Sequence, residues 1–316
     1  MQVIDNGQCL ICGGEMKFFL TGKDYLYRTS KKDFKIYKCT ICGLERITPM
    51  PSSVELKNAY PEKYYSLNMV NNMGLLSKIK KSSIQINYAC KNLAVKKLVA
   101  GAMNIFYYFG LPENFKEGSR ALDIGCGDGY DVQLMRHCNW EAYGFEVGAR
   151  GSLENVFYDS SLDLVDFGGM QFDLVRMWHS FEHMKDPRAC LVVINSLMKE
   201  NGFLVMAVPN TRSVAAWFFG KYYLGRDIPR HLFGYNDKNI VTLLAKNNFK
   251  VIKIRYQSLN GIAASISNLI NEKFKTKLDW QGNFIWIALW LPLEYFISFA
   301  RLSDQMSIVV TKELSE

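Results

Sequence analysis

The chain has 316 residues, 49% of them hydrophobic and 14% aromatic, which excludes a disordered polymer and leaves room for one large α/β domain and a smaller appendage. Its formal charge of +8 is a mild excess, which suits a solvated face or an anionic partner (a nucleotide-sugar, a phospholipid surface or a nucleic acid) without choosing between them. Eight cysteines, with no apolar leader in Met1–Gly7, read as metal ligands or free thiols in the cytoplasm and not as a disulfide framework.

Residues 1–50 carry the first motif. Cys9-x-x-Cys12 and Cys39-x-x-Cys42 share one local frame, CLICGG and CTICGL, and are separated by 26 residues. A two-residue gap lets both thiolates of a pair turn onto one metal, and the glycine that follows permits the tight turn. Four sulfurs make a closed tetrahedral set with no open position, so the expectation is a structural Zn²⁺ in a small knuckle domain. Binding would supply on the order of 10 kcal/mol of apparent folding energy. Cys90, Cys126, Cys138 and Cys190 show no pairing pattern and read as packed thiols.

Residues 51–117 open with MPSS, pass the aromatic cluster Tyr60, Tyr64 and Tyr65, and run on with helical period from Leu75 to Phe109. Lys78, Lys80, Lys81, Lys91, Lys96 and Lys97 fall in that stretch. It reads as a helical linker or cap that contributes to an active site.

From residue 118 onward, short apolar strands alternate with helical stretches, the pattern of a Rossmann-like parallel sheet with helices on both faces. Strands are expected at Arg120–Ile124, Glu141–Phe145, Val156–Tyr158, Phe172–Arg176, Phe203–Val208, Val251–Tyr256 and Met306–Thr311. The first runs into RALDIGCGDGY, where Gly125, Gly127 and Gly129 alternate around Cys126 and a helix begins near Tyr130. Such glycines let the backbone approach a ligand and turn into the helix. Asp123 puts an anion where a phosphate would be unwelcome, which suits a cationic, phosphate-free ligand. Glu146, 17 residues beyond Gly129, ends the second strand where an acid can take both hydroxyls of a ribose.

At these residues the chain resembles the class I S-adenosylmethionine-dependent methyltransferases, whose first motif has the form D-x-G-x-G-x-G. The resemblance implies that Asp123 and the Gly125–Gly129 loop hold the methionine moiety of S-adenosyl-L-methionine. It implies further that Glu146 binds the ribose, and that Asp159 and Ser160 lie near the adenine.

After the fourth strand comes MWHSFEHMKDP, with His179, Glu182 and His183 at the strand edge where an open sheet forms its ligand crevice. This stretch, with KENGFLVMAVPN, IPRHLFGY and the earlier ITPMPSSVELKNAYPEKYY, is similar to a bacterial subgroup acting in glycan, secondary-metabolite and quinone pathways. It is most similar to the zinc-bearing members, among them sugar methyltransferases. The resemblance implies O-methylation of a sugar, a nucleotide-sugar or a glycan precursor by base-assisted direct transfer. The further carboxy-terminal domain of sugar C-methyltransferases does not fit in a chain of this length. The candidate bases are His183, His179 and His231, with Glu182 orienting one imidazole. Two other readings of this cluster stand beside it: capping of the helix that begins near Asp186–Pro187, and a divalent cation.

Residues 259–303 form an apolar insertion before the last strand. Its run FIWIALWLPLEYFISFA, about 17 residues long, lies near the lower limit for a membrane span and holds Pro292 and Glu294. A buried or interfacial helix pair is expected, with contact to a membrane surface or to a second subunit left open. Two other function classes compete with a small-molecule or glycan acceptor. An RNA methyltransferase guided by the zinc knuckles would want an N/D-P-P-Y/F motif after strand four, absent here, and no basic or aromatic RNA-binding run accompanies it. A non-catalytic scaffold would not need the intact glycine loop.

Overall fold

The structure is a computed structural model that describes residues 7–61, 118–137, 139–147, 153–257, 261–276 and 284–313. Most of the expected helical cap, including Tyr64, Tyr65 and Cys90, lies outside these residues, as does Cys138.

Seven strands make the main sheet: β4 (Arg120–Ile124), β5 (Glu141–Val147), β6 (Val156–Asp159), β7 (Phe172–Trp178), β8 (Met198–Pro209), β10 (Phe249–Gln257) and β11 (Gln305–Lys312). Their order is β10-β11-β8-β7-β4-β5-β6, with β11 antiparallel to both its neighbours and the other pairs parallel. All seven strands expected from the sequence are present. The central ones are near-continuous apolar runs, such as Leu204 to Val208, because both faces of a parallel sheet are covered.

Helices α2 (Tyr130–His137), α3 (Pro187–Leu197) and α5 (Asp237–Ala245) flank the sheet. In α3, Cys190, Leu191, Ile194 and Leu197 face inward at helical spacing. Its N-cap is Asp186, whose side chain accepts from the amides of Arg188 and Ala189, with Pro187 in the first turn. Glu182 and His183 therefore do not cap this helix: they sit in a 3-10 turn, Phe181–His183, ahead of it.

Because the chain winds from β4 to β5 and β6 on one side and then crosses to β7 and β8, the sheet changes direction between β4 and β7. Ligands of open α/β sheets bind at such a switch point, outside the carboxyl ends of the strands.

The amino-terminal residues build a second sheet from β1 (Met16–Gly22), β2 (Phe34–Cys39) and β3 (Glu45–Ile47), followed by α1 (Ser53–Ala59). A two-residue strand from the later chain, β9 (Phe233–Gly234), completes it by pairing with β3. Cys9, Ile11 and Leu44 of this unit share one apolar core with Leu232, Phe233 and the main sheet. The insertion folds as α6 (Gly261–Phe274) and α7 (Phe284–Phe299), packed with the short α4 (Val214–Phe219). Among the described residues, no helix is long and apolar enough to cross a membrane.

Candidate functional site

The loop after β4 is shaped by close approach. Gly125, Gly127 and Gly129 all have positive φ, at 78°, 60° and 72°. A Cβ on Gly125 would stand 2.5 Å from that of Ser180, whose hydroxyl donates to the carbonyl of Ile124 at 2.8 Å. The glycine loop is thereby locked to the turn that follows β7, and a side chain at Gly125 fails on both conformation and space.

Asp123 is buried, and both its oxygens accept from Nη1 of Arg176 at 3.0 Å. Burial pushes its carboxyl up to about 6, while the guanidinium beside it holds the charge in place. Arg176 also reaches Asp131 of α2 at 2.9 Å and lies over the ring of Trp178. The carboxylate of Asp123 is thus already paired to an adjacent strand. Glu146, at the end of β5, accepts from the amide of Gly127 at 2.7 Å, which places it directly under the glycine loop. Asp159 ends β6 and accepts from Ser160. Cys126 is buried, with its thiol raised above its ordinary range by burial.

The second group of candidates meets beyond β7. Glu182 is fully buried; burial favours its neutral form, but the His179 hydrogen bond and the surrounding imidazoles outweigh it and bring its carboxyl to about 2. His179 holds Glu182 Oε1 through Nδ1 at 3.3 Å and Gln305 Oε1 through Nε2 at 2.9 Å. With both ring nitrogens committed, and burial overcome by Glu182, its imidazole is raised above the ordinary range. Its φ of 52° is a left-handed conformation rare outside glycine, held here by these two partners and by its own amide on Ala207.

His183 is different. Its Nδ1 lies 2.9 Å from the carbonyl of Arg230, which can only accept, so the proton sits on Nδ1 and Nε2 keeps its lone pair. The hydroxyl of Tyr60 meets the same nitrogen at 2.9 Å. Burial and the neighbouring His231 lower its imidazole to about 4, leaving it neutral at physiological pH. By the same logic His231 donates from Nδ1 to the carbonyl of Gly225 at 2.9 Å, and its Nε2 lies 3.7 Å from Glu182 Oε1. The rings of His183 and His231 stand edge to face at 4.7 Å. One ligand atom from each of Glu182, His183 and His231 falls within 4.8 Å of the others, a spacing that one divalent ion could use. The fourth histidine of the chain, His137, is exposed on α2.

What brings His231 to the site is a buried arginine that sequence reading did not single out. Arg230 is fully buried; its guanidinium contacts Asp227 at 2.6 Å, Asp24 at 2.6 Å and the carbonyl of Ala59 at 2.7 Å. One residue thus clamps the amino-terminal unit, the end of α1 and the loop that presents both its own carbonyl to His183 and the next side chain, His231. Arg226, also buried, binds Glu45 of β3 through two nitrogens at 2.8 and 3.0 Å. Arg176, Arg226, Arg230 and Gln305 were missed because nothing local distinguishes a structural side chain of these types from a surface one; IPRHLFGY points to the resemblance and to His231, not to Arg230.

The four cysteines converge at the edge of the amino-terminal sheet. Cys9 and Cys42 sulfurs lie 3.5 Å apart and those of Cys12 and Cys39 3.4 Å apart, with all four within 4.8 Å. The edge of a tetrahedron with metal–sulfur bonds of about 2.3 Å is about 3.7 Å, so the set fits one zinc ion. Amides of Ile11 and Ile41 point at Cys9 and Cys39 sulfurs at 3.4 Å each, which stabilises thiolate charge.

Residues 105–254 match the model of the family described as "Methyltransferase domain". The chain is 25% identical over 184 residues to a "Ubiquinone biosynthesis O-methyltransferase" of Rhodopseudomonas palustris, covering 54% of this chain and 71% of that one. It is 28% identical over 128 residues to the protein of the same name from Methylococcus capsulatus, spanning about half of that relative (54%) and 36% of this chain. Solved structures similar to it include an O-methyltransferase from a trans-AT PKS multienzyme of Brevibacillus brevis in complex with S-adenosyl-L-homocysteine. That likeness has a TM-score of 0.43 at 15% identity and covers 80% of this chain and 81% of the other. Another is a SAM-dependent methyltransferase from Archaeoglobus fulgidus, with a TM-score of 0.41 at 19% identity over 72% and 97% of the two chains.

Proposed function

We propose that this chain, an S-adenosylmethionine-dependent methyltransferase by its matched domain and its Rossmann-like sheet, transfers the methyl group to a hydroxyl oxygen with His183 as the base. The observation that carries this is the state of His183: a neutral imidazole, its proton fixed on Nδ1 by the Arg230 carbonyl, with Nε2 left as an acceptor at the switch point of the sheet. A hydroxyl is a weak nucleophile until its proton is removed, and a placed base is worth roughly 10²–10⁴ in rate. S-adenosylmethionine, when bound, supplies an electrophilic methyl group on a sulfonium. Bound beside the glycine loop, it would supply that methyl group to the acceptor oxygen, and His183 Nε2 would take the hydroxyl proton. The loop Gly125–Gly129 would cradle the methionine end beside the Asp123–Arg176 pair, Glu146 the ribose hydroxyls, and Asp159 with Ser160 the adenine. His179 and Glu182 would orient the cluster, and ionised Glu182 would stabilise the protonated imidazole. In the same reading Cys9, Cys12, Cys39 and Cys42 hold one structural Zn²⁺, which fixes the sheet that Arg226 and Arg230 are anchored to.

The acceptor class follows from chemistry that two sources share. The sequence resemblance leads to a sugar hydroxyl, and the names of the relatives set their reaction in ubiquinone biosynthesis; both are ring-borne hydroxyls. The relatives favour the apolar ring, so hydroxylated aromatic acceptors come first and nucleotide-sugars second.

Calorimetric titration with S-adenosylmethionine and S-adenosylhomocysteine tests the cofactor half: micromolar binding is expected, weakened by Glu146→Ala. No binding at millimolar cofactor in a folded sample would sink the enzyme reading. Methyl transfer to panels of phenols and nucleotide-sugars, with His183→Ala alongside, tests the rest. If EDTA abolishes turnover while the zinc content is unchanged, Glu182, His183 and His231 hold a catalytic cation and the base assignment fails.

A further inference from the structure

The sequence of helix α7, FIWIALWLPLEYFISF, is apolar throughout save for Glu294, and its described side chains divide between a packed side and an exposed one. Trp290, Glu294 and Ile297, at helical spacing, turn inward: Trp290 and Ile297 pack with Ala216 and Ile262, and Glu294 accepts from the amide of Ile262 at 3.2 Å. The positions that alternate with them point out. Leu289 is 64% exposed, Leu293 47%, Phe296 78% and Phe299 72%. The short helix α4 continues this surface: the amide of Val214 bonds the carbonyl of Leu302 just beyond α7, and one turn on Trp217 and Phe218 are 83% and 70% exposed. Trp217, Phe218, Phe296 and Phe299, each offering on the order of 200 Å², together expose about 600 Å² of aromatic surface. A helix that is hydrophobic all round belongs in a protein interior or in lipid. Among the described side chains of this one, Leu289, Leu293, Phe296 and Phe299 lie in neither.

The charge around the patch supplies the sign of the partner. Exposed basic residues stand beside its aromatics in sequence: Lys221 after Phe218 and Phe219, Lys273 and Lys275 on either side of the exposed Phe274, and Arg301 after Phe299. The single acid of α7, Glu294, is buried on the opposite side. Aromatic and leucine side chains backed by lysine and arginine match the interface of an anionic bilayer, where rings enter the headgroup layer and cations meet lipid phosphates. With 16 residues, α7 is about 24 Å long, short of the hydrocarbon thickness of about 30 Å, and the geometry is that of a helix lying on the membrane.

We propose that the outward face of α4 and α7 is a docking surface for an anionic lipid bilayer, which would hold the acceptor side of the sheet against the membrane. The inference stands independently of which acceptor is methylated. Co-sedimentation of the full chain with vesicles of phosphatidylcholine alone, and of phosphatidylcholine with phosphatidylglycerol, tests it. Binding is expected to the mixed vesicles, to weaken with salt, and to fall by about a hundredfold or more in Trp217→Ser with Phe218→Ser and again in Phe296→Ser with Phe299→Ser, since each aromatic buried is worth about tenfold or more in affinity. S-adenosylhomocysteine binding by these variants, whose changed side chains are exposed, reports on their folding and is expected to be unchanged. Sedimentation with neither vesicle, or undiminished binding by the folded variants, overturns the proposal. So does a wild-type chain that ignores vesicles but self-associates in analytical ultracentrifugation and becomes monomeric in the variants, since the face would then belong to a second copy.

Discussion

Among the described residues, two clusters of ligand-type side chains are held in opposite ways. The sulfurs of Cys9, Cys12, Cys39 and Cys42 come from two tight turns, each closed by its own amides and spaced by two residues. Short-range geometry almost suffices to assemble them. His179, Glu182, His183 and His231 come from a turn after β7 and a loop some 50 residues later, and no local geometry brings them together. Arg230 does so, through a carbonyl on His183 and a guanidinium anchored to Asp227, Asp24 and Ala59. Because Asp24 belongs to the cysteine-bearing unit, the first cluster is mechanically upstream of the second. The amino-terminal unit is tied to the loop that carries His231 through two of its acidic residues, Asp24 and Glu45, each paired with a buried arginine there.

The largest effect should therefore arise far from the chemistry. If the four cysteines hold zinc as proposed, Cys39→Ser or chelation removes a term on the order of 10 kcal/mol apparent from the folding of the amino-terminal unit. Loss of zinc by elemental analysis, with a lowered thermal midpoint and lost turnover, is the expected outcome. A variant that keeps its midpoint and activity without zinc would separate the two clusters again. Arg230→Met comes next. Removing one partner of a buried charge network leaves Asp24 and Asp227 uncompensated, a cost of about 3–5 kcal/mol in unfolding free energy. Chemical denaturation measures it; a cost below about 1 kcal/mol would show that the tie is not the arginine.

How much of this the sequence disclosed follows the same division. The strands, the glycine loop and the four cysteines were legible because each is a local pattern: an apolar run, alternating glycines, a two-residue gap. Three histidines were also expected at one crevice, since the fold puts the ends of β7 and the later loop on one edge. The means were not legible. Arg176, Arg226 and Arg230 look like surface residues in a one-dimensional pattern, and only burial beside Asp123, Glu45 and Asp24 gives them their roles. Two-residue strand β9 is likewise too short to carry a period, and it exists because β3 offers an edge to pair with. The capping alternative for Glu182 and His183 fails for a smaller reason: Asp186 is adjacent to α3 and caps it, while Glu182 lies in the turn ahead.

The chemistry inside the histidine cluster ranks below this tie in its effect on stability. His183→Ala should lower kcat by roughly 10²–10⁴ with little change in cofactor affinity. Its pH signature follows from the lowered imidazole. A folded His183 that titrates at about 4, against an ordinary 6.5, remains an unprotonated base across the neutral range, so the acid limb of kcat should lie well below 6.5. Stability carries the same sign. The unfolded chain takes up a proton that the native imidazole refuses, so this contribution is intact above about 6.5 and is lost as the pH falls from there toward 4. Thermal midpoints of the wild type and His183→Ala across that window would measure it; parallel curves would contradict a buried neutral imidazole.

The smallest effect is expected from the histidine that looks most strained. His179→Asn keeps a residue that tolerates the left-handed φ of 52°, so the turn after β7 should persist. What it removes is a bond to Glu182 and a bond to Gln305, for which a cost of about 1–3 kcal/mol is the ordinary scale for hydrogen bonds to charged groups. Both ring nitrogens of His179 are already committed, and it is the proton-rich partner of Glu182, so it has no lone pair to offer a hydroxyl. Turnover should fall by roughly tenfold, through looser placement of Glu182, and not by the larger factor expected of the base. A loss equal to that of His183→Ala, with the acid limb moved as well, would transfer the base to His179 and leave His183 as the residue that Arg230 and Tyr60 hold in place.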